Sequence, residues 1–248
     1  MKLVIADASY LKDSISIIAD LVNEARFKFN RDGIEVVAMD PANVAMVSFK
    51  LLSSGFTEYD IEKDIEAGIN LQNFKQILRR ASPSDVLTLE LGTDNKLKIQ
   101  LKAASTRTFS LPIIEMDERE QRVPNLQFPT TVSLQSSALM DAITDADIVA
   151  ESVTFEAEPE KFSIHAQGDH SNAHIEMKAS DSVKIQSTTT ANVKAKYSIE
   201  YLKKMITGGK LSELVDVQFS QDYPLRLDYK LVDRLSLSFI LAPRVEND

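Results

Sequence analysis

His170 and His174 stand four apart in "GDHSNAH", and imidazoles are common transition-metal ligands. Asp40 and Asp169 are of the type that performs general acid–base work. Neither reading goes far. The stretch around the histidines reads as a loop running into a strand, where this spacing does not bring both rings to one helical face. No third ligand clusters with them, and the chain has no glycine-rich phosphate loop and no Ser-His-Asp signature. It contains no Cys, which excludes thiol nucleophiles, disulfides and Cys-based zinc sites, and suits a reducing intracellular compartment. No catalytic residue, metal or cofactor is therefore expected.

The remaining chemistry is electrostatic. The chain of 248 residues carries a net charge of −9, which on average repels nucleic acid, so the placement of cations matters more than their sum. Hydrophobic residues make up 44%, enough for a sizeable core. The start, "MKLVIADASYLKD", has Asp7 and Asp13 interrupting a short apolar run, and reads as no signal peptide. No apolar run approaches the ~18 residues of a membrane span.

The elements that must position these charges come from an internal repeat. At an offset of 128 residues, Leu11 meets Leu139, Phe27 meets Phe155, Val36 meets Ile164, Leu71 meets Ile199, and Leu87 and Leu89 meet Val215 and Val217. Each half holds two helical patterns. In the first half, Leu11, Ile15, Ile18 and Val22 form one stripe, with Asp7 and Ser9 as candidate caps. Leu71, Phe74, Leu78 and Ala81 form the other, after Asn70. In the second half the helices are "LMDAITDADIVA" and "IEYLKKMITG". Around them alternate strands such as "ARFKF", "IEVVAM", "LKIQL", "FSIHA", "HIEMK" and "LSLSFIL". The expected fold is α+β: two similar domains of antiparallel sheet with two helices each, spanning 1–114 and 128–248. Residues 115–127, charged and marked by Pro124, read as an extended connector.

The stretches "NEARFKF", "DGIEVVAMDPANVAMV", "GINLQNFKQILRRA", the linker's "VP", "YPLRLDY" and "LAPRVE" occur in that order. With the tandem halves, the whole chain resembles the replicative sliding clamps of the archaeal and eukaryotic type, the proliferating cell nuclear antigen family. The resemblance implies a head-to-tail ring trimer, with helices lining a hole that duplex DNA threads without being read. It implies a processivity factor, intracellular in the cytoplasm or nucleoid, or in the nucleus of a eukaryote. Short peptide motifs of a replicative polymerase, clamp loader, flap endonuclease and DNA ligase would dock on its surface. Carried over residue by residue, the docking surface comprises Met39, Asn43, Val44, Met46, Val123, Pro124, Pro224, Ile240, Ala242 and Pro243. Gln121 occupies a linker position that is often apolar.

The same resemblance places Lys12, Lys75, Arg79, Lys203 and Lys204 toward DNA, for sequence-blind phosphate contact. The third helix departs from the family by having no basic residue, and carries Asp141, Asp145 and Asp147 instead. Head-to-tail packing would bring Arg80 and Arg107 of one copy to Asp141 and Asp145 of the next. It would also pair the strand near "STRTFSLP" with that near "NAHIEMKA". Both charged faces lie on one chain, which permits a homotrimer. A subunit of a heterotrimeric clamp, or a ring scaffold that does not act alone on DNA, is the alternative.

Overall fold

The computed structural model describes residues 1–92, 94–116, 121–189 and 191–244. Part of the expected connector, 117–120, and the terminal 245–248 lie outside the described residues. The first half runs β1 (Lys2–Ile5), α1 (Ser9–Ile18), β2 (Glu24–Asn30), β3 (Gly33–Met39), β4 (Ala45–Leu52), β5 (Glu58–Asp60), β6 (Ile65–Asn70), α2 (Leu71–Leu78), β7 (Val86–Leu91), β8 (Lys96–Lys102) and β9 (Thr106–Pro112). The second runs β10 (Thr130–Gln135), α3 (Ser136–Asp147), β11 (Ser152–Glu158), β12 (Lys161–Gln167), β13 (Asn172–Lys178), β14 (Val183–Ser187), β15 (Val193–Ser198), α4 (Ile199–Met205), β16 (Leu214–Phe219), β17 (Leu225–Leu231) and β18 (Leu235–Leu241). The repeat holds at the level of elements. Shifted by 128 residues, the bounds of β2, β3, β6 and β7 become those of β11, β12, β15 and β16.

The chain forms two compact units. One comprises 1–41, 47–123 and 231–237; the other comprises 42–46, 124–230 and 238–248. In the first unit, an antiparallel sheet has the order β5-β1-β7-β8-β9, with β9 at its edge, and a second run has the order β4-β3-β2-β6. In the second unit, the orders are β13-β12-β11-β15, with β13 at the edge, and β14-β10-β16-β17. Helix α1 packs on α2 and α3 on α4, and each pair covers sheet residues of its own unit.

The helices follow from their apolar spacing. Leu11, Ile15, Ile18, Leu71, Phe74 and Leu78 are all buried to 1% exposure or less. Asn70 caps α2, its side-chain oxygen accepting from the Asn73 N–H at 2.9 Å. Asp7 acts differently from the expectation. Its carboxylate accepts from the Ser9 N–H at 2.9 Å, and the cap position itself falls on Ala8. Strands β6 and β15 escape a reading by breakers because each runs directly into a helix, at Leu71 and Ile199.

Past β9, the chain is anchored where the Ile114 N–H donates to the Gly68 carbonyl at 3.0 Å. A Cβ at residue 68 would lie 2.3 Å from the Ile114 carbonyl oxygen, so this approach requires glycine. Residues 121–129 then run without regular structure. No helix among the described residues is long and apolar enough to cross a membrane.

Candidate functional site

His170 is exposed in the turn before β13, whereas His174 lies directly opposite His165 on β12. Their Nδ1 atoms are 2.9 Å apart, and His165 Nε2 is 3.1 Å from Glu156. Among the described residues, no three His, Asp or Glu side chains are grouped to hold a metal. Asp40 is buried and Asp169 is exposed in the same turn as His170.

Three surfaces carry the other candidates. The first is the pair of helices in each unit. In the first unit, Lys75 Nζ lies 2.6 Å from Asp20 and donates to the Ser16 carbonyl at 3.2 Å, leaving its side chain 18% exposed. Lys12 donates to the Ala81 carbonyl at 3.3 Å. Arg79 and Arg80 stand exposed past the end of α2, and neither makes a side-chain ion pair among the described residues. In the second unit, Lys203 pairs with Asp147 at 2.6 Å. Lys204 lies 3.6 Å from Glu200 and 5.3 Å from the Tyr201 ring centroid. The expected cations are thus on the helices, but Lys75, Lys203 and Lys204 are already matched by carboxylates of their own unit. Sequence spacing could not reveal Asp20 or Asp147 as partners, because each comes from another helix or its following turn.

The second surface is the pair of sheet edges. Strands β9 and β13 have seven residues each and each has one neighbour among the described strands. On β13, Ala173, Ile175 and Met177 form an apolar row that is only half-buried, and on β9 Phe109 is half-buried beside Arg107 on the same face. An uncovered edge of this length is a template for another strand. Asp141 and Asp145 project exposed from α3. Asp145 and Asp147 sit in its last turn, where the helix dipole disfavours an acid and the turn has no basic residue of its own; Lys203 of α4 offsets Asp147.

The third surface is built by the chain's C-terminal segment, within the second unit. The Ala242 N–H donates to the Val44 carbonyl at 2.9 Å and the Arg244 N–H to the Lys196 carbonyl at 2.7 Å. Tyr197, its hydroxyl pKa pushed up by burial and by Asp222, donates to the Tyr223 carbonyl at 2.7 Å. Val44, Pro224, Ile240, Ala242 and Pro243 are half-buried here, and Asn43 is exposed with φ 58°. Tyr223 stacks edge-on against Phe128, centroids 5.9 Å apart. That aromatic pair was not among the expected residues; the signal for it was Tyr223 next to Pro224 in "YPLRLDY". Met46 is only 7% exposed and belongs to the core rather than the surface. Pro124 is exposed at the start of the second unit's connector residues. Met39 and Val123 fall in the first unit, where they line a cleft of about 700 Å³ with Arg26, Glu35, Gln121 and Arg122.

Two family models match successive parts of the chain. Residues 1–121 match the N-terminal domain of proliferating cell nuclear antigen, and residues 122–244 match its C-terminal domain. The chain belongs to the proliferating cell nuclear antigen family. It is similar to the DNA polymerase sliding clamp of Thermococcus fumicolans, with 34% identity covering 99% of both chains. It is also similar to the DNA polymerase sliding clamp of Nanoarchaeum equitans, with 35% identity covering 98% of this chain and 99% of that protein. Among solved structures, it superposes on the proliferating cell nuclear antigen of Thermococcus kodakaraensis with a TM-score of 0.91. Identity there is 28%, covering 98% of this chain and 99% of the other. The family assignment agrees with the duplicated fold and with the absence of a catalytic constellation from the sequence.

Proposed function

We propose that this chain is a DNA polymerase sliding clamp: a non-catalytic processivity factor that closes into a ring of three copies around duplex DNA. The observation that carries the proposal is the pair of uncovered, equal-length edge strands, β9 in one unit and β13 in the other. A contact between unlike surfaces of identical chains either closes into a ring or propagates as a filament. Pairing of β9 with β13 of the next copy, with Phe109 and the half-buried row Ala173, Ile175 and Met177 covered, supplies the adhesion. Arg80 and the acidic face of α3 set its direction, since each exposed pair contributes only about 0–1 kcal/mol. The presence of both edges on one chain favours three identical copies over a mixed ring.

DNA contact is assigned to Lys12, Lys75, Arg79, Lys203 and Lys204, acting on phosphates without reading bases. Because three of these cations have carboxylate partners, their hold on DNA is weak and salt-sensitive. Topology, rather than affinity, retains the ring. Docking is assigned to the C-terminal surface of the second unit, where Val44, Pro224, Ile240 and Ala242 receive the apolar anchors of short peptide motifs. The partners are the replicative polymerase, the clamp loader, a flap endonuclease and a ligase, which places the protein inside the cell with its DNA. Met39 and Val123 enter as a separate contact in the first unit's cleft.

The mass of the purified chain in solution tests the assembly. Sedimentation equilibrium is expected to give three times the chain mass. A monomer at every concentration refutes self-assembly and turns the search toward a partner paralogue.

A further inference from the structure

The sequence reading sends Arg107 across to a neighbouring copy, but its guanidinium is engaged within its own chain. Arg107 Nη2 donates to Asp85 Oδ2 at 2.5 Å, and Nη1 donates to the Arg80 carbonyl at 3.0 Å. The Asp85 side chain is 1% exposed, and the same Oδ2 accepts from the Ser82 N–H at 2.7 Å. Arg107 Nε is buried with no hydrogen-bond partner, so the side chain is held by its two terminal nitrogens. Arg107 belongs to the edge strand β9, Arg80 to the turn that ends α2, and Asp85 to the loop leading into β7. Helix α2 itself packs on β9. One planar cation therefore adds a polar tie between β9 and the two segments that flank the turn after α2, on top of the packing of α2 on β9. A planar fork suits this task, because its two terminal nitrogens point at separate acceptors in a fixed geometry, whereas a lysine ends in a single nitrogen on a flexible stem.

We propose that Asp85 and Arg107 are positioning residues: an intrachain clamp that presents β9 and the end of α2 as a single prearranged face for the next copy. Arg107 is then not the cation that meets Asp141 and Asp145 of a neighbouring copy. That role falls to Arg80, whose carbonyl is used by the clamp and whose side chain has no ion pair among the described residues. The assembly part of this inference rests on the ring reading above; the clamp itself does not. A second copy docking on a loose edge must order it on binding, and the clamp has met that cost in advance.

The test combines two measurements on Asp85→Asn, Arg107→Gln, their double variant, and Asp141→Asn with Asp145→Asn. Sedimentation reads the concentration of half-dissociation. Hydrogen exchange on dilute, dissociated chains reads the amides of 106–112, with those of 172–178 as an internal reference. Each clamp variant should raise the half-dissociation concentration at least tenfold, and the double variant no further than the worse single one. The acidic pair should combine multiplicatively with Arg107→Gln. Exchange in 106–112 should quicken in both clamp variants while 172–178 stays unchanged. Arg107→Lys, which keeps the charge and loses the fork, should behave like Arg107→Gln and serves if Asp85→Asn does not fold. The inference is overturned if exchange in 106–112 is unaffected. It is also overturned if Arg107→Gln is additive with Asp85→Asn but non-additive with the acidic pair. A wild type that never assembles refutes the ring reading instead, and the exchange measurement still decides the clamp.

Discussion

Asp85 sits below the ordinary carboxylate range because the Ser82 backbone N–H and then the Arg107 guanidinium stabilise its anion. A carboxyl whose folded pKa is lowered stabilises the fold above its unfolded value, near 3.9, and loses that contribution as pH falls through the folded value. The difference in stability between wild type and Asp85→Asn should therefore be constant above about pH 5 and shrink below about pH 4. Denaturant titrations at a series of pH values check this, and a difference as large at pH 2 as at pH 7 contradicts it. At the proposed docking surface, Val44→Asp places an unpaired charge where an apolar anchor should seat. Calorimetry should show peptide affinity falling at least tenfold, about 1.4 kcal/mol. Unchanged affinity in a folded variant removes Val44 from the site. The core stripes were legible residue by residue, because Leu11, Ile15, Phe74 and Leu78 obey helical spacing. The engagement of Lys75 and Arg107 was not, since Asp20 and Asp85 reach them from elsewhere in the fold.

Gly68 in β6 admits the start of the connector, where a Cβ would meet the Ile114 carbonyl at 2.3 Å and the Met116 side chain at 2.8 Å. Gly68→Ala should therefore displace residues 113–116 at a cost of about 1–3 kcal/mol, read as faster proteolysis of the connector. Cleavage at the wild-type rate argues that the strand gives way instead. For α2, Asn70→Ala removes the side-chain acceptor of the Asn73 N–H and should cost about 1 kcal/mol in thermal unfolding. At this scale the helices and the longer alternating strands were readable from periodicity and breakers. Strand β1 has four residues and β5 has three, too few for alternation to be distinctive. The edge status of β9 and β13 was also invisible locally, because it depends on the order in which strands distant along the chain pair.

For the molecule as a whole, the cations assigned to DNA are spread over three helices, and α3 has none. Neutralising Lys12, Lys75, Arg79, Lys203 and Lys204 together should lower polymerase processivity, most at elevated salt, with the oligomer and peptide docking unchanged. Among single changes, Arg79→Ala should have the largest effect, because its guanidinium is exposed and not already held by a carboxylate among the described residues. Wild-type synthesis by the fivefold variant at every salt concentration shows that these side chains do not act on DNA. The duplication made the two-domain organisation legible from the sequence, while closure of a ring is a property of edges meeting between copies. The central claim is that the assembled chain encircles DNA, and topological retention tests it most directly. After loading onto a nicked circular duplex by a clamp loader, the protein should remain bound through a high-salt wash and be released when the circle is linearised. Loss from intact circles as fast as from linear DNA, or retention after linearisation, contradicts the account.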